Sequence, residues 1–450
     1  MSIIRRNIVD DLIKWKSRKN RKPLILRGAR QVGKTTVVKE LGKTYKQAIF
    51  LNLENPADKE FFDGFTDMKT LVDSLFISRN ITSDIHDVLV FIDEIQESPQ
   101  AIQMLRYFYE DIPELHVIAA GSLLEFAFSD VKSFPVGRVE YMYLYPLNFL
   151  EFLEGIDHRR AIDEMHIVPV QEYAHQTLLT LFNTYAIIGG MPEIVKQYVE
   201  DKQINTLGNI YASIWDTYKR DVEKYAKGDV EKNIIRHIMN TAPFLIEERI
   251  KYQNFGNSNY RSREVSEAMR SLMDARILKI IYPTTSTEFP IIPDIRKAPK
   301  LQILDTGIVN YTLKVQASML SMENLSEAYK GKIIPHIIFQ ELISTQTIHD
   351  ESPHFWVREK RQGQAEVDIL LQVHQHLIPV EIKSGSTGSL RSLHQYIDQT
   401  QQKYAVRVYG GKFIIENTKT PKGTAYTLMN VPYYLGTKLY EYIEWFLENH

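Results

Sequence analysis

The chain has 450 residues, 44% hydrophobic and 24% charged, ordinary globular usage that excludes collagen-like, mucin-like and wholly disordered chains. Lys and Arg number 54 against 56 Asp and Glu, a net charge of −2, which excludes a strongly cationic nucleic-acid coat but not a local basic face. With no cysteine, disulfides, thiolate metal sites and cysteine nucleophiles are excluded, and a reducing compartment fits.

At about 150 residues per domain the length predicts about three domains. Residues 1–20 open as MSIIRRNIVDDLIKWKSRKN, which spaces Ile4, Ile8, Leu12, Ile13 and Trp15 along one helical face and lacks the apolar run and cleavage site of a signal peptide. No apolar run approaches the ~18 residues of a membrane span, so no membrane is expected and a cytoplasmic location follows by default. Residues 21–155 alternate short apolar runs (PLILRG, QAIFLNLEN, VLVFID, HVIAAG, VEYMYLYP) with helical stretches. That alternation predicts an α/β fold, a parallel sheet with helices on both faces. VLVFI is apolar without alternation, as a strand buried on both faces should be.

Residues 156–228 read as a helical lid, with two helices broken at Gly189, Gly190 and Pro192. Residues 229–288 read as a winged helix-turn-helix, with helical EKNIIRHIMNTAPFLI, a turn in NFGNSN, a helix from SREVSEAMRSLM and a short strand from Ile277 to Tyr282. Its Lys251, Arg261, Arg263 and Arg270 would suit a DNA groove, or the module packs only against its neighbour. Residues 289–450 follow the connection TTSTEFPIIPD and read as a mixed α/β domain, with a helix near Pro335–Ile348 and strands at HFWVRE, EVDILLQV, LIPVEIKS and YAVRVYGGKFII.

The segment GARQVGKTT (Gly28, Ala29, Arg30, Gln31, Val32, Gly33, Lys34, Thr35, Thr36) fits the phosphate-loop pattern, with about 0.02 chance matches expected in a chain this long. The glycines let backbone N–H groups curl around phosphate oxygens, Lys34 places an ammonium on the outer phosphates, and the Thr35 hydroxyl completes magnesium coordination. The helix that starts there adds its dipole. In VLVFIDEIQ, Asp93 is placed to hold the magnesium through water and Glu94 to polarise the attacking water, a pair that suits hydrolysis rather than phosphorylation of a substrate. Ser122, ending HVIAAGS, is either a γ-phosphate sensor or a helix cap. Arg138 is either a transition-state charge stabiliser, in this chain or supplied by a second copy, or a surface arginine.

ILRGARQVGKTTVVKEL, FLNLENP, VFIDEIQESP, AAGSLLEF and GRVEYMYLYPLNFLEFL together resemble a family of prokaryotic AAA-superfamily ATPases that carry a C-terminal domain similar to restriction-endonuclease-like nucleases. The resemblance implies adenine rather than guanine, hence ATP with Mg2+. GGMPEIV resembles the Gly-x-Pro element of related archaeal ATPases, which would place Gly190 and Pro192 in the lid beside the nucleotide.

Asp368, twelve residues, then Glu381-x-Lys383 resembles the metal-dependent core of those nucleases. Two strands would bring Asp368 and Glu381 to one magnesium, with Lys383 on the face of Glu381 because strand side chains repeat every two residues. Glu341 corresponds to the family's preceding helical acid, a further metal ligand. By spacing alone about one such match is expected by chance, and the bland alternative is a Glu381–Lys383 ion pair. Arg358, Lys360 and Arg361 would hold a DNA backbone or form a solvated charge run, and His374 and His376 fall in a hairpin turn. Two functions follow as expectations. One is an ATP-hydrolysing switch coupled to a magnesium-dependent nuclease-like domain on DNA. The other is an ATP-dependent scaffold whose inactive nuclease-like domain binds a protein partner or a second copy.

Overall fold

The computed structural model describes residues 4–63, 67–128, 135–320, 331–358, 365–385 and 389–450. The N-terminal helix, Ile8–Ser17, buries Ile8, Leu12 and Trp15, while Ile13 is exposed and leaves the expected face. All five expected strands form: β1 (Leu24–Arg27), β2 (Gln47–Asn52), β3 (Val88–Asp93), β4 (His116–Gly121) and β5 (Glu140–Tyr143). They make one parallel sheet in the order β2-β3-β4-β1-β5. Side-chain alternation splits the apolar runs between two cores. Leu24, Leu26, Leu89 and Phe91 face one, and Ile25, Val88, Val90 and Ile92 the other. The chain leaves central β1 for the far edge and later fills the gap with β3 and β4. The carboxyl end of β1 therefore opens into the crevice where such sheets take ligands.

Helices Phe149–Gly155, Arg159–Met165, His175–Ile188, Pro192–Asp201 and Gly208–Lys224 follow. Asn148 and Glu151 close a reciprocal capping box on the first of them. The expected break after Ile188 is present. Gly189 has φ +73°, and a Cβ on Gly190 would lie 2.0 Å from the Leu147 carbonyl oxygen. Gly190 accepts from Leu147 N at 2.7 Å and donates to Asp305 Oδ2 at 2.6 Å. Among the described residues no single helix is long and apolar enough to cross a membrane.

Helices Asp229–Thr241 and Ser262–Asp274 lead to an antiparallel hairpin of β6 (Leu278–Ile281) and β7 (Lys300–Ile303). The expected boundary at 288 therefore falls inside a hairpin. The Pro- and Thr-containing stretch resembles a linker but is held, since Thr284 N donates to Phe355 O and Val357 N donates to Thr284 O. The next helix, Thr306–Leu313, packs on helix His175–Ile188, with Asn310 Nδ2 donating to the carbonyls of Ala186 and Ile187.

The C-terminal sheet is mixed. It contains β8 (His354–Val357), β9 (Glu366–Val373), β10 (His376–Ile382), β11 (Tyr404–Tyr409), β12 (Ile414–Lys419) and β13 (Ala425–Pro432), in the order β12-β13-β11-β10-β9-β8. The expected single run YAVRVYGGKFII breaks at Gly410–Gly411, and β13 inserts between its two halves. The β9–β10 hairpin turns at His374 and Gln375, both exposed, so His374 lies in the turn as expected while His376 already begins β10.

Helix Ile333–Ser344 is apolar on every side because it is buried on every side. Here the structure departs from the expected metal role of Glu341. Its carboxylate is fully buried, accepts from Phe149 N at 3.1 Å and from Tyr185 Oη at 2.6 Å, and among the described residues shares no hydrogen-bond partner with Asp368 or Glu381. Its partners Phe149 and Tyr185 belong to the segments that follow β5, and on its other side it meets Gly436 and Thr437, which follow β13.

Burial pushes the Glu341 carboxyl up to about 8. The geometry agrees: Tyr185 has one hydroxyl proton but two acceptors, Glu341 Oε1 and Leu147 O, and a proton on Glu341 settles the conflict. A raised carboxyl favours folding fully below its ordinary value and loses that contribution as pH rises through the folded value. Between about pH 5 and 8.5 the melting temperature of the wild type should therefore fall more steeply than that of Glu341→Gln, which stays neutral throughout. Parallel melting curves across that range check the difference in slope.

Candidate nucleotide site and the C-terminal acidic centre

β1 ends at Arg27, the loop runs through Gly28–Gly33, and a helix begins at Lys34. A Cβ on Gly28 would lie 2.3 Å from the Leu144 carbonyl oxygen, and Gly33 caps the helix at φ +100°. Both positions therefore need glycine. Thr35 Oγ1 donates to Asp93 Oδ2 at 2.6 Å, joining the loop to the end of β3. Lys34 is buried and donates to the carbonyls of Gly28 and Ala29, both at 2.9 Å. Burial draws its ammonium down to about 8 against the pull of Glu94 and Asp93, and burial raises the Asp93 carboxyl. Polyphosphate beside Lys34 and a divalent cation between Thr35 and Asp93 would reverse both shifts, so these residues fit a magnesium nucleotide.

Glu94 has a left-handed backbone, φ 50°, uncommon for a residue with a side chain. It accepts from Gln96 Nε2 at 2.6 Å. Gln96 Oε1 and Ser122 Oγ are both buried without a hydrogen-bond partner. Ser122 thus makes no capping hydrogen bond, and two unsatisfied polar atoms stand by the ends of β3 and β4. Arg138 is half-exposed, and Glu110 takes its Nε at 2.8 Å, which is the surface-arginine alternative within this chain. Arg30 turns to helix Gly208–Lys224, donating to both oxygens of Asp221 at 3.0 and 3.1 Å, while Tyr218 Oη donates to the Arg30 carbonyl. Gln31 turns the loop at φ 64°.

Beside the loop lies a cavity of about 420 Å³ lined by Gly33, Thr36, Val37, Pro192 and Val199, with Lys196 and Glu193 among its polar walls. Its mainly apolar lining suits a flat base next to the phosphates. Pro192 of the GGMPEIV turn lines this cavity, and Gly190 does not.

Arg6 is a site residue that sequence reasoning missed. It is buried, donates to Val32 O at 2.8 Å and Tyr145 O at 2.6 Å, and pairs with Glu151 at 3.1 Å. It braces the loop from beneath. Only its two carbonyl partners reveal this, and they are distant in sequence, so no motif signals it.

In the C-terminal sheet Asp368, Glu381 and Lys383 do come together on β9 and β10. Asp368 Oδ2 accepts from Ile382 N at 2.7 Å, and Lys383 Nζ lies 2.6 Å from Glu381 Oε1. Burial, reinforced by the charge of Asp368, pushes the Glu381 carboxyl up to about 8, and burial raises Asp368. Glu381 Oε2 is buried with no partner. A buried free carboxylate oxygen beside a second carboxylate is a donor set that a hard divalent cation would satisfy. No group of three or more His, Cys, Asp or Glu poised for a metal occurs among the described residues. Sequence reasoning also missed Lys300, whose Nζ lies 2.8 Å from Glu366 Oε1 and 3.2 Å from Glu247 Oε2. Arg358 donates to Gln395 at 3.3 Å, and Lys360 and Arg361 lie outside the described residues. Lys251, Arg261, Arg263 and Arg270 are exposed, with Arg263 paired to Glu267.

Residues 20–153 match the model of an AAA domain, residues 179–319 a domain of unknown function (DUF8612), and residues 330–434 another (DUF4143). Comparison with curated proteins gives no match. Among solved structures, the chain is similar to the Walker-type ATPase paby2304 of Pyrococcus abyssi, at 13% identity over 69% of this chain and 96% of that one, TM-score 0.41. It is also similar to C. elegans PCH-2, at 13% identity over 43% and 62%, TM-score 0.27. A RuvB variant of Thermotoga maritima matches at 16% identity over 65% and 91%, TM-score 0.25. These low scores carry no weight. The sheet order, the loop geometry and the domain match together make residues 20–153 an AAA-type P-loop ATPase domain.

Removing one partner of a buried ion pair costs about 3–5 kcal/mol. Arg6→Ala should therefore lower the melting temperature and weaken nucleotide binding, although Arg6 lies outside the loop motif. Calorimetric titration of the folded fraction checks the second effect.

Proposed function

We propose that the chain is an ATP-hydrolysing switch whose nucleotide state is relayed to a restriction-endonuclease-like C-terminal domain acting on DNA. The observation that carries the first half is the Thr35–Asp93 contact with Lys34 and Glu94 around it. The base enters the cavity at Pro192, and the phosphates lie along Gly28–Thr36 with Lys34 Nζ on their outer oxygens. Magnesium, when bound, neutralises charge on the phosphates, and Thr35 and Asp93 are the residues that would hold it. Glu94 accepts the proton of the attacking water, and the Ser122 hydroxyl supplies a donor that reads the terminal phosphate.

The relay runs through side chains. Arg27, which precedes the loop, pairs with Glu125 at 3.2 Å. Glu125 pairs with Arg276 at 3.2 Å, and Arg276 reaches Asp350 at 2.9 Å. Arg276 lies between the helix Ser262–Asp274 and β6, in the module read as a winged helix, so three parts of the chain meet there. The nuclease half rests on the adjacency of Asp368, Glu381 and Lys383, two acids to hold a magnesium and a lysine to stabilise phosphate charge. The presence of Lys300 among the acids favours a second reading, in which the same domain binds a protein partner without chemistry.

Lys34→Ala should abolish ATP binding. Glu94→Gln should still bind ATP, with turnover reduced by about 10²–10⁴-fold. Calorimetric titration with ATP and a phosphate-release assay separate the two effects. Unchanged turnover in Glu94→Gln would remove Glu94 from the reaction.

A further inference from the structure

We propose that Lys300 is a built-in competitor of the divalent cation at the Asp368–Glu381 centre, and that the hairpin carrying it sets the metal affinity of that centre. The inference rests on the metal reading of Asp368 and Glu381 given above and adds its control.

Lys300 is the first residue of β7 and pairs with Ile281 of β6. It is 5% exposed, and its stem lies against Phe355, with Nζ 5.0 Å from the ring centroid. A buried ammonium is stable only when paired. Its partners come from two different parts of the chain: Glu247, just after the turn that follows helix Asp229–Thr241, and Glu366 on β9. Glu366 and Asp368 are two apart on one strand and so share a face. Two ammonium groups therefore face these acids: Lys383, at the end of β10 and bonded to Glu381, and Lys300, delivered from outside the C-terminal sheet. Glu381 leaves one buried oxygen with no partner on the adjacent strand. A divalent ion entering there shares the field of Asp368 with a fixed positive charge, and like charges at short range in a buried site repel strongly.

The hairpin is also where the nucleotide relay ends. Arg276 sits two residues before β6, β6 pairs with β7, and β7 begins at Lys300. A shift of Arg276 relative to Glu125 is thereby carried along one short hairpin to the acidic centre.

The test is a manganese titration of the full-length, nucleotide-free chain at neutral pH, read by the electron paramagnetic resonance signal of free Mn2+. The proteins are wild type, Lys300→Met, and Lys300→Met with Asp368→Asn. The proposal expects Lys300→Met to bind one additional Mn2+ at least about tenfold more tightly than wild type, a difference that one removed like charge readily supplies, and Asp368→Asn to abolish it. Equal binding in wild type and Lys300→Met, lost with Asp368→Asn, would overturn the competitor role while leaving the metal centre standing. Absence of Asp368-dependent binding in every protein would overturn the metal centre and the competitor with it. Should Lys300→Met fail to fold, Lys300→Met combined with Glu247→Gln removes one charge of each sign and is judged by the same outcomes.

Discussion

Two close backbone contacts hold the parts of this molecule on one another. At Gly190 the Leu147 carbonyl comes so near that no side chain fits, and a Cβ on Gly307 would lie 2.0 Å from the Ile188 carbonyl oxygen. Leu147 follows the last strand of the ATPase sheet, Gly190 lies at the bend of the lid, and Asp305 and Gly307 begin the helix that follows the hairpin. Asp305 seals the contact by accepting from the backbone of Gly190 and Ile308. Burial raises its carboxyl to about 6, and those backbone N–H groups oppose the rise. Two residues past the contact, Pro192 forms a wall of the cavity beside the phosphate loop. The bend between helices His175–Ile188 and Pro192–Asp201, and with it the wall of that cavity, is held by close packing.

The second link between the halves is polar. Arg276 adopts a left-handed backbone, φ 60°, and holds Glu125 on one side and Asp350 on the other. Lys279 and Tyr145 also bind Asp350, so one carboxylate collects three donors from the ATPase sheet and the hairpin. Burial lowers the Lys279 ammonium and Asp350 opposes it, which makes the cluster sensitive to any rearrangement that withdraws the carboxylate.

Legibility in the sequence followed locality. The five parallel strands were readable because strands buried on both faces are unbroken apolar runs, and the phosphate loop because its residues are consecutive. Asp368, Glu381 and Lys383 were readable because a hairpin keeps them within sixteen positions of one another. Arg6, Glu247 and Lys300 were not, because their partners lie far along the chain and a lone arginine, glutamate or lysine carries no signal. Glu341 was misassigned for the same reason. Its spacing suited a nuclease helix, while its partners, Phe149 and Tyr185, belong to the other half of the molecule. The boundary at 288 falls inside the β6–β7 hairpin because a proline-containing stretch resembles a linker even when Thr284 is bonded into β8 and Asp294 N folds back to the Pro283 carbonyl.

Rigid linkage between the nucleotide site and the distal half is the central claim, and hydrogen exchange across the whole chain measures it most directly. With a non-hydrolysable ATP analogue and magnesium, exchange should slow at Gly28–Thr36 and also at the Gly189–Gly190 turn and helix Thr306–Leu313. Asp305→Asn should retain the first protection and lose much of the second. Protection confined to Gly28–Thr36 in the wild type would contradict the linkage and leave the two halves as neighbours without mechanical coupling.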